Sequence, residues 1–186
     1  MIIDKQKVHT NDPSVQDLLT EVNASVDLQQ MFSTFHGDKF NLTPVITYLA
    51  ALGIDYNKFG VTNQAPVAVT SLPSGGQLGV HTDLNESEYT LIIPLQGKCS
   101  WVEYAIRDGE SPEYITVGGG KPFYLKWEEK QLGAKIVTPI LGAHFVSTSG
   151  PHNVINVDEN ERSILMSVRL GINFKLHTFL KDKNAN

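Results

Sequence analysis

Residues 79 to 95 read GVHTDLNESEYTLIIPL, and His81 and Asp83 stand two apart at the lip of a strongly apolar run. On an extended chain, residues i and i+2 share a face. An imidazole and a carboxylate would therefore project together while Thr82 turns away. They are two of the three donors of a two-histidine, one-carboxylate site, which holds Fe(II) and leaves coordination positions open. H-x-D triplets occur by chance in many chains, and the plain alternative is a turn with two hydrated polar residues. The pair means something only if a third donor joins it.

The chain has six histidines. His9 and His36 fall in a stretch with helical patterning and His177 lies near the tail, which leaves His144 and His152. In LGAHFVSTS, His144 reads as a strand histidine with a satisfied hydrogen bond. His152 opens a short β-rich run in SGPHNVINVDENERSILMSVRL and is preferred because of the strand downstream of it. There, Ile164, Met166, Val168, Leu170, Ile172 and Phe174 alternate with Ser163, Leu165, Ser167, Arg169, Gly171 and Asn173. With period two, the first set is the buried face, and two residues back it reaches Arg162. A guanidinium opening an apolar face calls for an anion, because an unpaired buried charge is costly. Arginine also grips a carboxylate bidentately. The alternative is a strand-end arginine that snorkels to water or pairs with Glu161. Arg169 falls on the other face and reads as a solvated surface charge.

HTD, then PHNV, then Arg162 ten positions past His152, resembles the non-haem Fe(II)/2-oxoglutarate-dependent oxygenases. That family shows H-x-D/E, a long interval, a second histidine usually in an H-x-V setting, and a basic residue about ten positions on. The resemblance spans roughly Pro66 to Phe174. It implies a double-stranded β-helix, a cupin-like jelly roll, with helices bracing one sheet. It also implies that His81, Asp83 and His152 bind Fe(II) and that Arg162 holds the far carboxylate of 2-oxoglutarate. The near end of the co-substrate would chelate the metal and leave a position for O2. The implied activity is hydroxylation of a C–H bond, with 2-oxoglutarate converted to succinate and CO2. No catalytic acid or base is needed beyond the metal ligands. The family's basic residue is often followed two positions on by Ser or Thr; here Ser163 comes one position on and Ile164 stands at the second. The small size and the HNV setting look more like the prolyl-hydroxylase type than the larger plant-type enzymes. Two other readings stand beside it: a cupin-like metalloenzyme that does not use 2-oxoglutarate, and a non-catalytic jelly-roll binding or structural module.

The elements that must position these residues are legible in outline. From about Pro66, short β-rich runs succeed one another between Gly, Pro, Asn and Asp: PVAVTSL, YTLIIPL, CSWVEYAI, EYITV, KPFYLKW, AKIVTPIL, AHFVSTS, HNVINV and RSILMSVRLGINFKL. Strands at that spacing, with no helices between them, indicate a sandwich, jelly roll or barrel. Residues 1–60 are helical in pattern. Asp12 can cap a helix with Pro13 at its first position, and Val15, Leu18, Leu19 and Val22 form its apolar stripe. Thr43 and Pro44 repeat the device, with Gly53 as the stop. LQQMFSTFHGDKF, between the two, is ambiguous. A single domain is expected, with a jelly-roll core over 66–174, the helices packed on one sheet, and a frayed tail over 181–186.

Charged residues make up 19% of the chain, below the globular average of about 25%. The net charge of −5 argues against coating nucleic acid. A lone cysteine, Cys99, excludes an internal disulfide and cysteine-clustered zinc sites. No signal peptide or membrane span is evident, so a cytoplasmic protein acting on a small molecule or peptide is expected, with no membrane partner. RDGESPEYITVGGGK, with its three glycines, is either a lid over the metal or an ordinary flexible loop, and the plain loop is the preferred reading; LNESEY, just after Asp83, could also move over the site. Trp101, Tyr104, Tyr124 and Trp127 read as strand packing.

Overall fold

The structure, a computed structural model, describes residues 13–35, 40–60, 65–84, 89–116 and 122–184. Asp12, His9, His36, the glycines 118–120 and most of LNESEY lie outside the described residues.

The elements run α1 (Pro13–Ser25), β1 (Phe32–Phe35), α2 (Thr43–Ala51), α3 (Tyr56–Phe59), β2 (Val67–Leu72), β3 (His81–Asp83), β4 (Thr90–Gln96), β5 (Cys99–Ile106), β6 (Glu113–Thr116) and β7 (Pro122–Lys126). A single 3-10 turn precedes β8 (Leu132–Ile140), and β9 (His144–Val146), β10 (His152–Asn156), β11 (Ser163–Arg169) and α4 (Leu176–Asn184) complete the chain. One sheet is ordered β1-β2-β11-β4-β9 and the other β6-β7-β3-β10-β5-β8. Neighbouring strands pair antiparallel. From β2 to β5 the chain steps from one sheet to the other at each strand, and from β8 to β11 it does so again. That places β2-β11-β4-β9 against β3-β10-β5-β8, a jelly roll with β1 and the β6–β7 hairpin added at the edges.

The five-stranded sheet is buried on both faces. Its outer face, Val67, Val69, Leu91, Ile93, Ile164, Met166 and Val168, forms one core with Val15, Leu18 and Val22 of α1 and Val45, Tyr48 and Leu49 of α2. Its inner face gives Leu72, Ile92, Val146 and Leu165, which meet Cys99, Trp101, Ile140 and Val154 of the other sheet. Two covered faces explain why β2 and nearly all of β4 are buried without alternation. Burial pushes the Cys99 thiol up to about 11, which leaves it inert at neutral pH.

Several local details differ from expectation. Thr43 is the first residue of α2 rather than its cap; Leu42 occupies the cap position and the side-chain oxygen of Asn41 accepts from the Thr43 N–H. The ambiguous stretch after α1 contains β1, paired along β2. The last strand stops at Arg169, and only a single bridge from Leu170 to Gly60 continues it. The tail then re-forms as α4, so residues 181–184 belong to a helix. Leu176, Phe179 and Leu180 recur at helical spacing and pack on the helix-side core, where Phe179 and Phe174 meet Phe145. Among the described residues, no helix is long and apolar enough to cross a membrane.

Candidate metal centre

The jelly roll makes β3 and β10 neighbours, and His81 and His152 face each other directly across the pair. Their ring centroids are 4.4 Å apart. Asp83, two residues on from His81, projects from the same face, with its Oδ1 3.6 Å from His81 Nε2. One donor atom from each of His81, Asp83 and His152 lies within 4.8 Å of the others. Donors bound at about 2.1 Å to a shared first-row ion stand at most about 4.2 Å apart. Small side-chain rotations would therefore close this set on an ion. Two neutral imidazoles and one carboxylate form a donor set suited to Fe(II) and related divalent ions.

Both rings are already oriented. His81 Nδ1 lies 2.8 Å from the carbonyl of Gly79, and His152 Nδ1 lies 2.9 Å from that of Gly150. A carbonyl only accepts, so each Nδ1 carries a proton, and this contact selects the neutral tautomer whose Nε2 lone pair is turned toward a ligand. The same G-x-H contact ties His144 Nδ1 to the carbonyl of Gly142. That ring, however, borders a separate apolar hollow of about 10 Å³ with Pro139, Ile140 and Val146, outside the donor cluster. Trp101 of β5 stacks on His152 at 4.5 Å and 16°, and its Nε1–H donates to Glu103 Oε1. On the opposite face, Trp127 Nε1–H donates to the hydroxyl of Thr82, between the two β3 donors.

Burial, with His81 beside it, pushes the His152 imidazole down to about 4, against the opposing influence of Asp83 and the Gly150 carbonyl. The ring is therefore neutral, ready to bind a metal, throughout the neutral range. In the unfolded chain it takes a proton near 6.5. Between about 6.5 and 4 the unfolded state binds more protons, so the metal-free protein loses stability as pH falls through that window. We expect a loss of at most about 3 kcal/mol by urea unfolding at pH 7 and pH 4.5, absent in His152→Phe.

Opposite the donors, the five-stranded sheet offers Thr70, Thr90, Ser167 and Arg169 to the same cavity. Arg169 is only 7% exposed. Its Nη1 donates to the carbonyl of Ala65, and no carboxylate lies within 4 Å of it among the described residues. Burial lowers its pKa, while Asp83 opposes that shift. Thr90 is its cross-strand partner on β4, and the buried Thr90 hydroxyl has no hydrogen-bond partner among the described residues. A buried guanidinium short of acceptors beside an orphaned hydroxyl is a costly arrangement unless an anion completes it.

Arg162 is elsewhere, which corrects the expectation that it faces the site. It shares the side of β11 that carries Ile164, Met166 and Val168, and that side faces the helices. Its Nη1 donates to the carbonyl of Leu28 and the hydroxyl of Ser71, pinning the chain after α1 onto β2. The alternation along the strand is real, but both of its faces are buried, and the face carrying Leu165, Ser167 and Arg169 lines the barrel. The unalternating runs in β2 and β4 were the signal that the sheet is covered on both sides. Arg169 therefore had no solvent face to occupy.

No protein-family model matches the chain, and no curated protein matches its sequence. Among solved structures, the chain is similar to Escherichia coli YcfD at 14% identity and a TM-score of 0.43, over 76% of this chain and 33% of that one. A second YcfD structure, described as a ribosomal oxygenase in complex with cobalt and 2-oxoglutarate, matches at 11% identity and a TM-score of 0.41, over 76% and 32% of the two chains. A cupin domain from Bordetella pertussis matches at 14% identity and a TM-score of 0.34, over 60% and 88%. This chain thus spans about a third of the length of YcfD, and likeness at these levels says nothing about what it binds.

Proposed function

We propose that the protein is an Fe(II)- and 2-oxoglutarate-dependent oxygenase that hydroxylates a C–H bond of a small-molecule or peptide substrate. The observation that carries this reading is Arg169: a buried guanidinium with no carboxylate within 4 Å among the described residues, facing the cavity that holds the His81, Asp83 and His152 donors. A ligand that chelates a metal at one end and presents a carboxylate at the other satisfies both walls at once. His81 and His152 present Nε2 to the ion, and Asp83 supplies one compensating negative charge. Arg169 receives the far carboxylate, and the Thr90 hydroxyl donates to the same group. Leu78, Ile92, Trp101 and Val154 give the cavity an apolar wall that limits water. When bound, iron with 2-oxoglutarate and O2 supplies the oxidising chemistry, yielding succinate, CO2 and the hydroxylated product.

A second reading, a cupin-like metalloenzyme that works without 2-oxoglutarate, is favoured by the size of the cavity. About 30 Å³ is open within it, room for an ion or roughly two waters. A five-carbon diacid enters only if side chains such as Arg169 and Trp101 move aside. Anaerobic titration of the Fe(II)-loaded protein with 2-oxoglutarate separates the two. The proposed function predicts a visible metal-to-ligand charge-transfer band that saturates, and succinate formation once O2 is admitted. Tight Fe(II) binding with no band and no affinity for 2-oxoglutarate selects the second reading.

A further inference from the structure

We infer that Asn153 is the positioning residue of the candidate metal centre, setting the His81 ring from outside the donor set. This rests on the metal-binding part of the proposed function. Asn153 comes directly after His152 on β10, so its side chain points to the opposite face of the sheet and does not reach the donor cluster. It is nonetheless only 1% exposed. Its Oδ1 accepts from the backbone N–H of Gly79 at 3.0 Å, and its Nδ2 donates to Gln77 Oε1 at 3.0 Å. The backbone N–H can only donate, which settles which end of the carboxamide faces Gly79.

The carbonyl of that same Gly79 is the acceptor for His81 Nδ1. One residue thus takes a hydrogen bond from each side: Asn153 holds its N–H and His81 is held by its C=O. Gly79 has φ +92, a conformation that L side chains rarely adopt. Backbone bonds flank Gly79 on both sides, with Leu78 N–H donating to the carbonyl of Val154, Asn156 N–H to that of Gly76 and Trp127 N–H to that of Val80, but among the described residues Gly79 itself makes no backbone–backbone bond. The third donor and the anchor of the first therefore come from adjacent positions of β10. A shift of that strand would move His152 and His81 together, which keeps the donor set in register.

The test measures Co(II) affinity by titration of the visible d–d absorption. Asn153→Ala is expected to weaken Co(II) binding about 10- to 100-fold and to alter the intensity of the band. Asn153→Asp keeps an acceptor for Gly79 N–H and is expected to recover most of the affinity. Leu18→Ala, which loosens the protein from the helix layer, is expected to leave the affinity within about two-fold, so general destabilisation is separated from positioning. Should Asn153→Ala fail to fold, imidazole nitrogen shifts and amide exchange in the metal-free wild type decide. A proton on His81 Nδ1 and a slowly exchanging Gly79 amide are expected; a proton on Nε2, or an unprotected amide, overturns the inference. Wild-type Co(II) binding that is unchanged in Asn153→Ala overturns it while leaving the metal centre intact. A wild type that binds no Co(II) removes both.

Discussion

His81→Ala, Asp83→Ala and His152→Ala are each expected to lose metal affinity by well over 100-fold, with 2-oxoglutarate turnover falling to background. The bound on the effect comes from comparison: loss of a partner that only orients a ligand typically costs 10- to 100-fold, and loss of a ligand must exceed it. Three protein donors on a six-coordinate ion leave just the three positions that a chelating co-substrate and O2 need, and among the described residues no fourth donor belongs to the cluster to take over. His144 is the nearest substitute by sequence, but it lies outside the cluster.

The three variants should differ in stability. His152 is 3% exposed and lies under the stacked Trp101 ring. Truncating it leaves a void and removes the indole's partner, at a cost of about 2–4 kcal/mol. The side chains of His81 and Asp83 are 15% and 24% exposed, and their truncation in the metal-free protein should cost about 1 kcal/mol or less. Urea unfolding together with metal analysis of the purified variants reads both effects. Equal metal loss with unequal stability loss marks a shared ligand role. Metal retained in any one of them would remove that residue from the donor set.

Much of the fold was legible because strand-forming runs and turn residues are local signals. Nearly every β-rich run became a strand; α1 starts at Pro13 and α2 one residue before Pro44. The candidate donor cluster was legible in part, since the i, i+2 rule joins His81 to Asp83 without any knowledge of the fold. What brought His152 to them is the antiparallel pairing of β3 with β10, a non-local fact. The G-x-H spacing before each ring was visible in the sequence as well; its physical content is a local Nδ1 contact that orients the ring, but His144 shares it and only topology separates the three. Arg169 was misread for a different reason. A period of two tells which residues share a face, and it does not tell what that face meets. In β11 one face meets helices and the other meets the barrel interior, so the arginine on the helix side, Arg162, ties the segment after α1 to β2. The expected run continued to Leu176, but the strand ends at Arg169, and Leu176 instead opens α4, where with Phe179 and Leu180 it packs at helical spacing on the helix-side core.

Arg169→Gln is expected to weaken 2-oxoglutarate binding by about 100- to 1,000-fold while Fe(II) or Co(II) affinity stays within a few fold. A charge-assisted, bidentate grip on a carboxylate in a buried site is worth about 3–4 kcal/mol, and glutamine keeps the polar reach without the charge. Thr90→Val removes one neutral hydroxyl donor and should cost about 3- to 10-fold. Arg162→Ala should leave 2-oxoglutarate affinity unchanged and lower stability instead, because its bonds to Leu28 and Ser71 hold the helix layer to the sheet. The stability of the metal-free Arg169→Gln protein carries the sharpest sign. A buried guanidinium with one carbonyl acceptor, no carboxylate within 4 Å among the described residues and only the more distant Asp83 to offset its charge is a burden on the empty fold. Removing it should leave the metal-free protein as stable as wild type or more so, the pattern of a residue kept for a ligand rather than for the fold. If instead Arg162→Ala abolishes co-substrate binding and Arg169→Gln merely unfolds the protein, the two arginines exchange roles and the anchoring wall proposed on β11 and β4 is wrong.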